Sequence, residues 1–336
     1  MNRARMLLGV ALVLALPLSA RAGSEGAGTT AANFLTNGAG GAALGMGGAT
    51  LAIGGDLAAA YWNPAALGLI GSTQISFSHA ELPDASRQEW ASLGGTIQGR
   101  SWHWALGGTF VNQGSFEGRD AFNNSTGSFS ASSAAISGSL AKSFGKQGSG
   151  LGVTTRWVTD KLGDATGSGI GLDAGLLLRS GIFGIGAGAQ NLGGRMRYGG
   201  ASYPMPSNYG GGVSIQHPMG LSAAVDWNFP NAYYNDLRGG VEYRWHEAVA
   251  LRAGYRRELG TDPKTEPLTG PSFGLGAGSR GLWFDYAYLP SNLGATEHRI
   301  AVTFTPSRAG LGADPDPAIL SRYPYRADAA RPFYLT

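Results

Sequence analysis

The chain has 336 residues, of which 56 are glycine, none is cysteine and only 14% are charged, with a formal charge of +3. Its mean hydropathy is −0.07, and beyond the N-terminus no apolar run reaches the ~20 residues that a membrane helix needs. These values exclude disulfide staples, thiolate metal sites and a cysteine nucleophile, and so little charge suits the surface of a soluble enzyme poorly.

Residues 1–22 read as a secretory signal peptide. Asn2, Arg3 and Arg5 form a basic start, Met6 to Leu18 an apolar stretch, and Ala20-Arg21-Ala22 a small-x-small cleavage site. Arg3, Arg5 and Arg21 account for the whole excess of +3, so the chain after cleavage is close to neutral. The pI of 9.1 therefore gives no reason to expect a nucleic-acid partner.

Residues 23–71 are rich in glycine and alanine and do not alternate. Gly45, Met46, Gly47 and Gly48 let backbones approach closely, and the segment runs on to Tyr61-Trp62-Asn63-Pro64-Ala65. Asn63 before Pro64 reads as the cap and first residue of a short helical turn. We expect this segment to form a hatch or plug inside or beneath the strands built by residues 72–306.

From 72 to 306 the chain alternates apolar and polar residues in about fourteen stretches of roughly ten residues, the period of a strand with one apolar face. Trp102, Trp104, Leu106 and Phe110 share one face, with His103, Ala105, Gly107 and Thr109 on the other. Leu151, Val153 and Trp157 oppose Thr154, Arg156 and Asp160. Leu221, Val225, Trp227 and Phe229 oppose Ser222, Asp226 and Asn228, and Val241, Tyr243 and Trp245 oppose Arg238, Glu242 and Arg244. Tight connections fall near Arg100, Lys146, Ser180, Pro218, His246 and Arg280. Longer ones fall at 81–88, 112–127, 160–168, 191–207, 230–235, 258–270 and 290–295. A soluble sandwich has no reason to segregate loop length by side. The pattern predicts an all-β fold, a transmembrane antiparallel β-barrel of about fourteen strands, its apolar face toward outer-membrane lipid and its polar face toward the lumen. Residues 307–336 carry no strand pattern and read as a periplasmic tail.

Little catalytic chemistry is legible. His79, His103, His217, His246 and His298 form no ligand pair, so no metal is expected. There is no Gly-x-Ser-x-Gly elbow, and Gly38-Ala39-Gly40-Gly41 lacks the lysine and serine of a phosphate loop. No enzyme and no cofactor are expected. Asp226, Glu242, Arg244, Arg252, Asp285 and Arg299 should face inward as a lumenal charge network, joined by Arg238 and Arg256. They either brace the wall or line a path for a solute. Met196, Tyr198, Tyr203 and Met205 in one long loop and Tyr233 and Tyr234 in another are candidate partner contacts, or members of an aromatic girdle.

Several stretches together resemble the PorV/PorQ family of outer-membrane proteins within the wider FadL-like barrels. They are Gly45-Met46-Gly47-Gly48-Ala49, Tyr61 to Leu67, Gln190-Asn191-Leu192-Gly193, Gly240-Val241-Glu242-Tyr243, Leu251 to Tyr255, Phe284 to Tyr288 and Leu293 to Ile300. The resemblance covers about residues 38–305. It implies a fourteen-stranded barrel with an N-terminal plug. For PorV it also implies a role in type IX secretion, with exported protein cargo or secretion components as partners. FadL relatives instead imply a channel for hydrophobic small molecules. The leading expectation is a non-enzymatic barrel handling exported proteins, and the alternative is the hydrophobic-molecule channel.

Overall fold

A computed structural model describes residues 28–306 except 84, 98–100, 146, 246–247, 263–267, 280 and 292–295. The expected signal peptide, the tail from 307, and Arg100, Lys146, His246 and Arg280 lie outside the described residues. The strands are β1 (Gln74–Glu81), β2 (Arg87–Thr96), β3 (Trp102–Arg119), β4 (Ser125–Phe144), β5 (Ser149–Leu162), β6 (Ala165–Ser180), β7 (Phe183–Leu192), β8 (Arg195–Tyr198), β9 (Ala201–Pro204), β10 (Asn208–Gln216), β11 (Leu221–Pro230), β12 (Asp236–Trp245), β13 (Val249–Glu258), β14 (Gly270–Ser279), β15 (Leu282–Pro290) and β16 (Thr296–Phe304). Fourteen of them form a closed antiparallel barrel in which β1 pairs with β16, and β7 with β10. The remaining two, β8 and β9, make a small hairpin attached to β6 through Gly167 and Ser168.

Period-two alternation sets the faces. Leu106, Leu151, Val153, Trp157, Leu221, Val225, Val241 and Ile300 point outward and are exposed, while His103, Thr154, Arg156, Asp226, Glu242 and Arg299 point inward and are buried. Closure pairs every strand edge, which a wall surrounded by hydrocarbon requires, since no water is there to satisfy a free backbone group. Among the described residues no helix is long and apolar enough to span a membrane.

Two expected long loops are instead strand. Residues 112–119 and 125–132 continue β3 and β4 as a paired ribbon, and β5 and β6 run to a two-residue turn at Gly163 and Asp164. Above Ala131 the ribbon has no buried face, so nothing imposes an apolar stripe on its sequence. Its tip is closed by Asp120, whose Oδ1 accepts from the Phe122 and Asn124 amides and whose Oδ2 accepts from the Asn124 side chain. These bonds, led by that from the Asn124 side chain, hold the carboxyl below the ordinary aspartate range. A pKa depressed by folding gives stability that is present above the unfolded value and lost as pH falls through the folded one. Hydrogen-exchange protection at Phe122 and Asn124 is therefore expected to fall once the pH drops below the ordinary aspartate range. Protection that persists to complete protonation would contradict this.

The end where β1 begins and β16 finishes carries the short turns, which in membrane barrels is the periplasmic end; the opposite end is the outer one. Near the outer end the β6–β7 ladder shifts register between Leu172 and Ala174. There Asn191 adopts a left-handed φ of 53°, and its amide donates to Asp173 Oδ1 at 2.7 Å. Beyond this bulge β6 pairs with β8 rather than β7.

Candidate functional site

The segment up to Gly71 enters the barrel: from Asn37 to Ala52 it follows the inner wall from β16 to β10, crosses to β1 and β2 at Gly55 and Leu57, and returns to β6 and β5 at Asn63 and Pro64. At the start, Arg299 of β16 donates to the carbonyls of Gly38 and Asn37, and Gln88 of β2 donates to Gly38. A short helix over Gly41–Gly45 lies on β15 and β14, with Ser272 donating to the Gly45 carbonyl. Asp226 of β11 then takes the amides of Thr50 and Leu51 on one oxygen, at 2.6 and 2.9 Å. Ser214 of β10 donates to Ala52 at 2.8 Å. Finally Asn63 reaches β6 through the Leu176 carbonyl and ties back to Leu51. Its own Oδ1 accepts from Ala65, capping a 3-10 helix over Pro64–Leu69. A buried backbone must find partners for its N–H and C=O groups, and here inward-facing side chains of the wall supply them.

The glycines make that contact possible. Gly47 and Gly48 have φ of 69° and 76°, a region that costs little only for glycine. They turn the chain where Met46 and Gly47 rest on Gly240 and Gly254 of the wall; a methyl at Gly254 would overlap the Gly47 nitrogen. Gly186 meets Leu51, and Gly152 meets Pro64, in the same way.

The inward charges do not form one network. Glu242, Arg244, Arg252 and Asp285 make a chain near the periplasmic end: Arg252 bonds Glu242 and Asp285 at 2.7 Å each, and Arg244 lies 3.3 Å from Glu242. Arg299 is separate, paired with Glu297 at 2.8 Å as well as with the segment. Asp226 makes no ion pair among the described residues; its bonds go to the segment amides. A further group, toward the outer end, centres on Asp236, which binds Arg238 at 2.7 Å and Arg256 at 2.8 Å and accepts from Asn228. Asp236 escapes sequence reading because it ends a stretch that looks like loop. Arg156 and Asp173, 2.7 Å apart, form another buried pair, with the Arg156 guanidinium over the Tyr61 ring. Alternation places both inside, but only register shows that they meet.

The outer-loop residues need correction. Met196 and Met205 are 0% and 1% exposed, packed with Phe34, Leu35, Val111, Ala135 and Val158 in an apolar cluster at the outer end. The β8–β9 hairpin folds inward, and Ala31 bonds the Pro204 carbonyl. Tyr198 donates to Asp160 and packs edge-on against Tyr203, which is 47% exposed. Tyr233 lies under the Arg256 guanidinium, and both Tyr233 and Tyr234 are half-buried.

Small spaces remain around the segment. One of about 20 Å³ lies toward the outer end between Tyr61, Trp62, Asn208, Tyr233 and Arg238. Another, of about 50 Å³, lies near the periplasmic end between Met46, Ile53, Glu242 and Arg244. A third, of about 20 Å³, lies beside Leu57 and Trp90. Each is well under the roughly 150 Å³ in which a dry cavity has accepted benzene. Among the described residues no group of three metal-ligating side chains converges.

The fold defines a transmembrane β-barrel whose inward-facing groups bond a stretch of the chain that precedes the strands. No family model and no curated protein matches the sequence. Among solved structures the chain is similar to the toluene transporter TbuX of Ralstonia pickettii, with a TM-score of 0.55 and 17% identity over 80% of this chain and 98% of that one. It is also similar to the toluene transporter TodX of Pseudomonas putida in two structures. One gives 0.56 and 12% identity over 80% and 98% of the two chains, the other 0.53 and 14% over 79% and 96%. At these identities the likeness is one of fold.

Proposed function

We propose that the protein is an outer-membrane channel for hydrophobic small molecules, with residues 28–71 as its gate. The observation that carries this reading is the course of the segment. It is held by side chains from β2, β10, β11, β14 and β16 and by a backbone carbonyl of β6, and spaces of about 20–50 Å³ lie beside it among the described residues. A solute crossing the lumen must displace it. Displacement of Phe34 and Leu35 with the segment would bare Met196 and Met205 at the outer end, an apolar surface for a hydrophobic molecule. The fold shared with two toluene transporters supports the same class of cargo. On this reading residues 1–22 are removed on export, 307–336 face the periplasm, and the protein carries out no catalysis.

The two toluene transporters to which the chain is similar lend no support to the secretion role implied by the PorV/PorQ resemblance. The tyrosines that would display a protein-binding surface are partly folded in: Tyr198 is tied to Asp160 and Tyr233 lies under Arg256.

The test is entry of radiolabelled toluene into cells whose lipopolysaccharide layer is otherwise the barrier, with and without the protein. The reading predicts faster entry when the protein is present, and faster still with variants that loosen the segment. Equal entry, together with recovery of exported proteins bound to the solubilised barrel, would return the function to secretion.

A further inference from the structure

Among the described residues, one inward arginine of the wall lacks a carboxylate. Arg156, Arg238, Arg244, Arg252, Arg256 and Arg299 each lie 2.7–3.3 Å from an aspartate or glutamate. Arg179, the last inward residue of β6 before its periplasmic end, is 6% exposed. Its side chain makes no hydrogen bond or ion pair among the described residues, and its Nη1 is sealed from solvent without a partner. Nε and Nη2 are equally unbonded but not sealed, so a ligand can reach the guanidinium. The neighbours supply no counter-charge: Ser149 Oγ accepts from the Arg179 amide, and Gly184 stands opposite on β7. A cation taken out of water without an anion is costly, and charges in membrane-spanning walls are generally paired. Arg179 asks for an anion.

The chain carries one that starts from the same end. β16 finishes at the periplasmic end, and residues 307–336 follow. Between Arg308 and Arg322 this stretch holds two aspartates, Asp314 and Asp316, and no cation. Each precedes a proline, which biases it toward extended backbone. β6 lies six strands from β16 around the barrel, nearly opposite. Strands about 4.8 Å apart and tilted by ~40° give fourteen of them a mouth about 28 Å across. The ten residues from Ser307 to Asp316 span up to about 33 Å when extended, so a carboxylate can cross to Arg179. A tethered partner acts at an effective concentration in the millimolar range, which favours it over free anions.

We infer that Arg179 binds a carboxylate of the tail, Asp314 or Asp316, and that the tail crosses the periplasmic mouth below the inner segment. This docking holds whatever the barrel carries.

The test is a spin label at Ala318→Cys, the one cysteine in the chain, on the full protein in liposomes. Docking restrains the label, so the immobilised component should dominate its spectrum. Losing a hydrogen-bonded charge should raise the ratio of mobile to held label by about tenfold or more. That rise is expected in Arg179→Met and equally in Asp314→Asn/Asp316→Asn. Exchanging the charges, Arg179→Asp with Asp314→Arg and Asp316→Arg, should restore the held state. Folding of each barrel is read from its heat-dependent gel migration. The aspartate variant leaves the wall untouched, so it decides the matter even if Arg179→Met does not fold. A label equally mobile in the parent and the aspartate variant overturns the inference, as does one held in both. Release in Arg179→Met with the aspartate variant unchanged also overturns it, because Arg179 would then serve another anion.

Discussion

Asp226→Leu detaches the inner segment while the barrel stays folded. The carboxylate holds the amides of Thr50 and Leu51 on a single oxygen, and both donors are buried in a lumen with few alternatives. A hydrogen bond contributes about 0.5–1.5 kcal/mol, and each buried donor left without a partner costs about 1–3 kcal/mol more. A loss near 3 kcal/mol raises the detached fraction by roughly 150-fold. Hydrogen exchange at Thr50 and Leu51 should accelerate by that order, with amides of β3, β12 and β15 unaffected. Asp226→Asn keeps one carbonyl oxygen as acceptor, so its effect should be smaller. Unchanged exchange in the leucine variant would mean that the segment is held elsewhere, by Arg299 and Asn63.

Asp236→Ala should be the most destabilising single change in the wall. Register sets Arg238 directly opposite Arg256 across β12 and β13, a like-charge pair that repels unless something lies between. Asp236, 0% exposed, is what lies between, bonding both guanidiniums. Removing it leaves Arg238 without its carboxylate and Arg256 with Glu258 alone, at 4.0 Å, and deleting one partner of a buried pair costs about 3–5 kcal/mol. The urea midpoint of the refolded barrel should drop accordingly. Asp236→Leu combined with Arg238→Leu should recover part of the loss, because one uncompensated charge is gone. An additive double variant would show that the repulsion argument is wrong.

Much of the wall was readable from period two alone, because each strand has one face toward apolar surroundings and one toward polar ones. The same signal placed Asp226, Glu242, Arg252, Asp285 and Arg299 inside. It did not say what they bind. Glu242 meets the residue opposite it, Arg252, whereas Asp226 sits opposite Arg238 and binds the segment amides instead. Register proposes a partner, but a backbone N–H delivered by a distant stretch can take its place. The ribbon above β3 and β4 was unreadable for the opposite reason: with both faces in water, alternation has no cause. Met196 and Met205 looked like exposed loop residues because their burial depends on Phe34 and Leu35, some 160 residues earlier in the chain. The wall glycines at 152, 186 and 254 read as mere composition, since their role appears only when Pro64, Leu51 and Gly47 lie against them.

In the proposed channel, passage requires the segment to move. The chain has no cysteine of its own, so a single engineered pair can tether it. A Cβ built at Gly45 lies 3.5 Å from that of Arg252, within the range of disulfide geometry, and 2.9 Å from the Gly274 Cα, so the short helix must lift slightly from β14 to admit it. In Gly45→Cys/Arg252→Cys, hydrophobic-probe entry should be blocked when the pair is oxidised and restored by reductant. Comparing the two states of one variant cancels the loss of Arg252 itself. Equal entry in the oxidised and reduced states would contradict a moving gate.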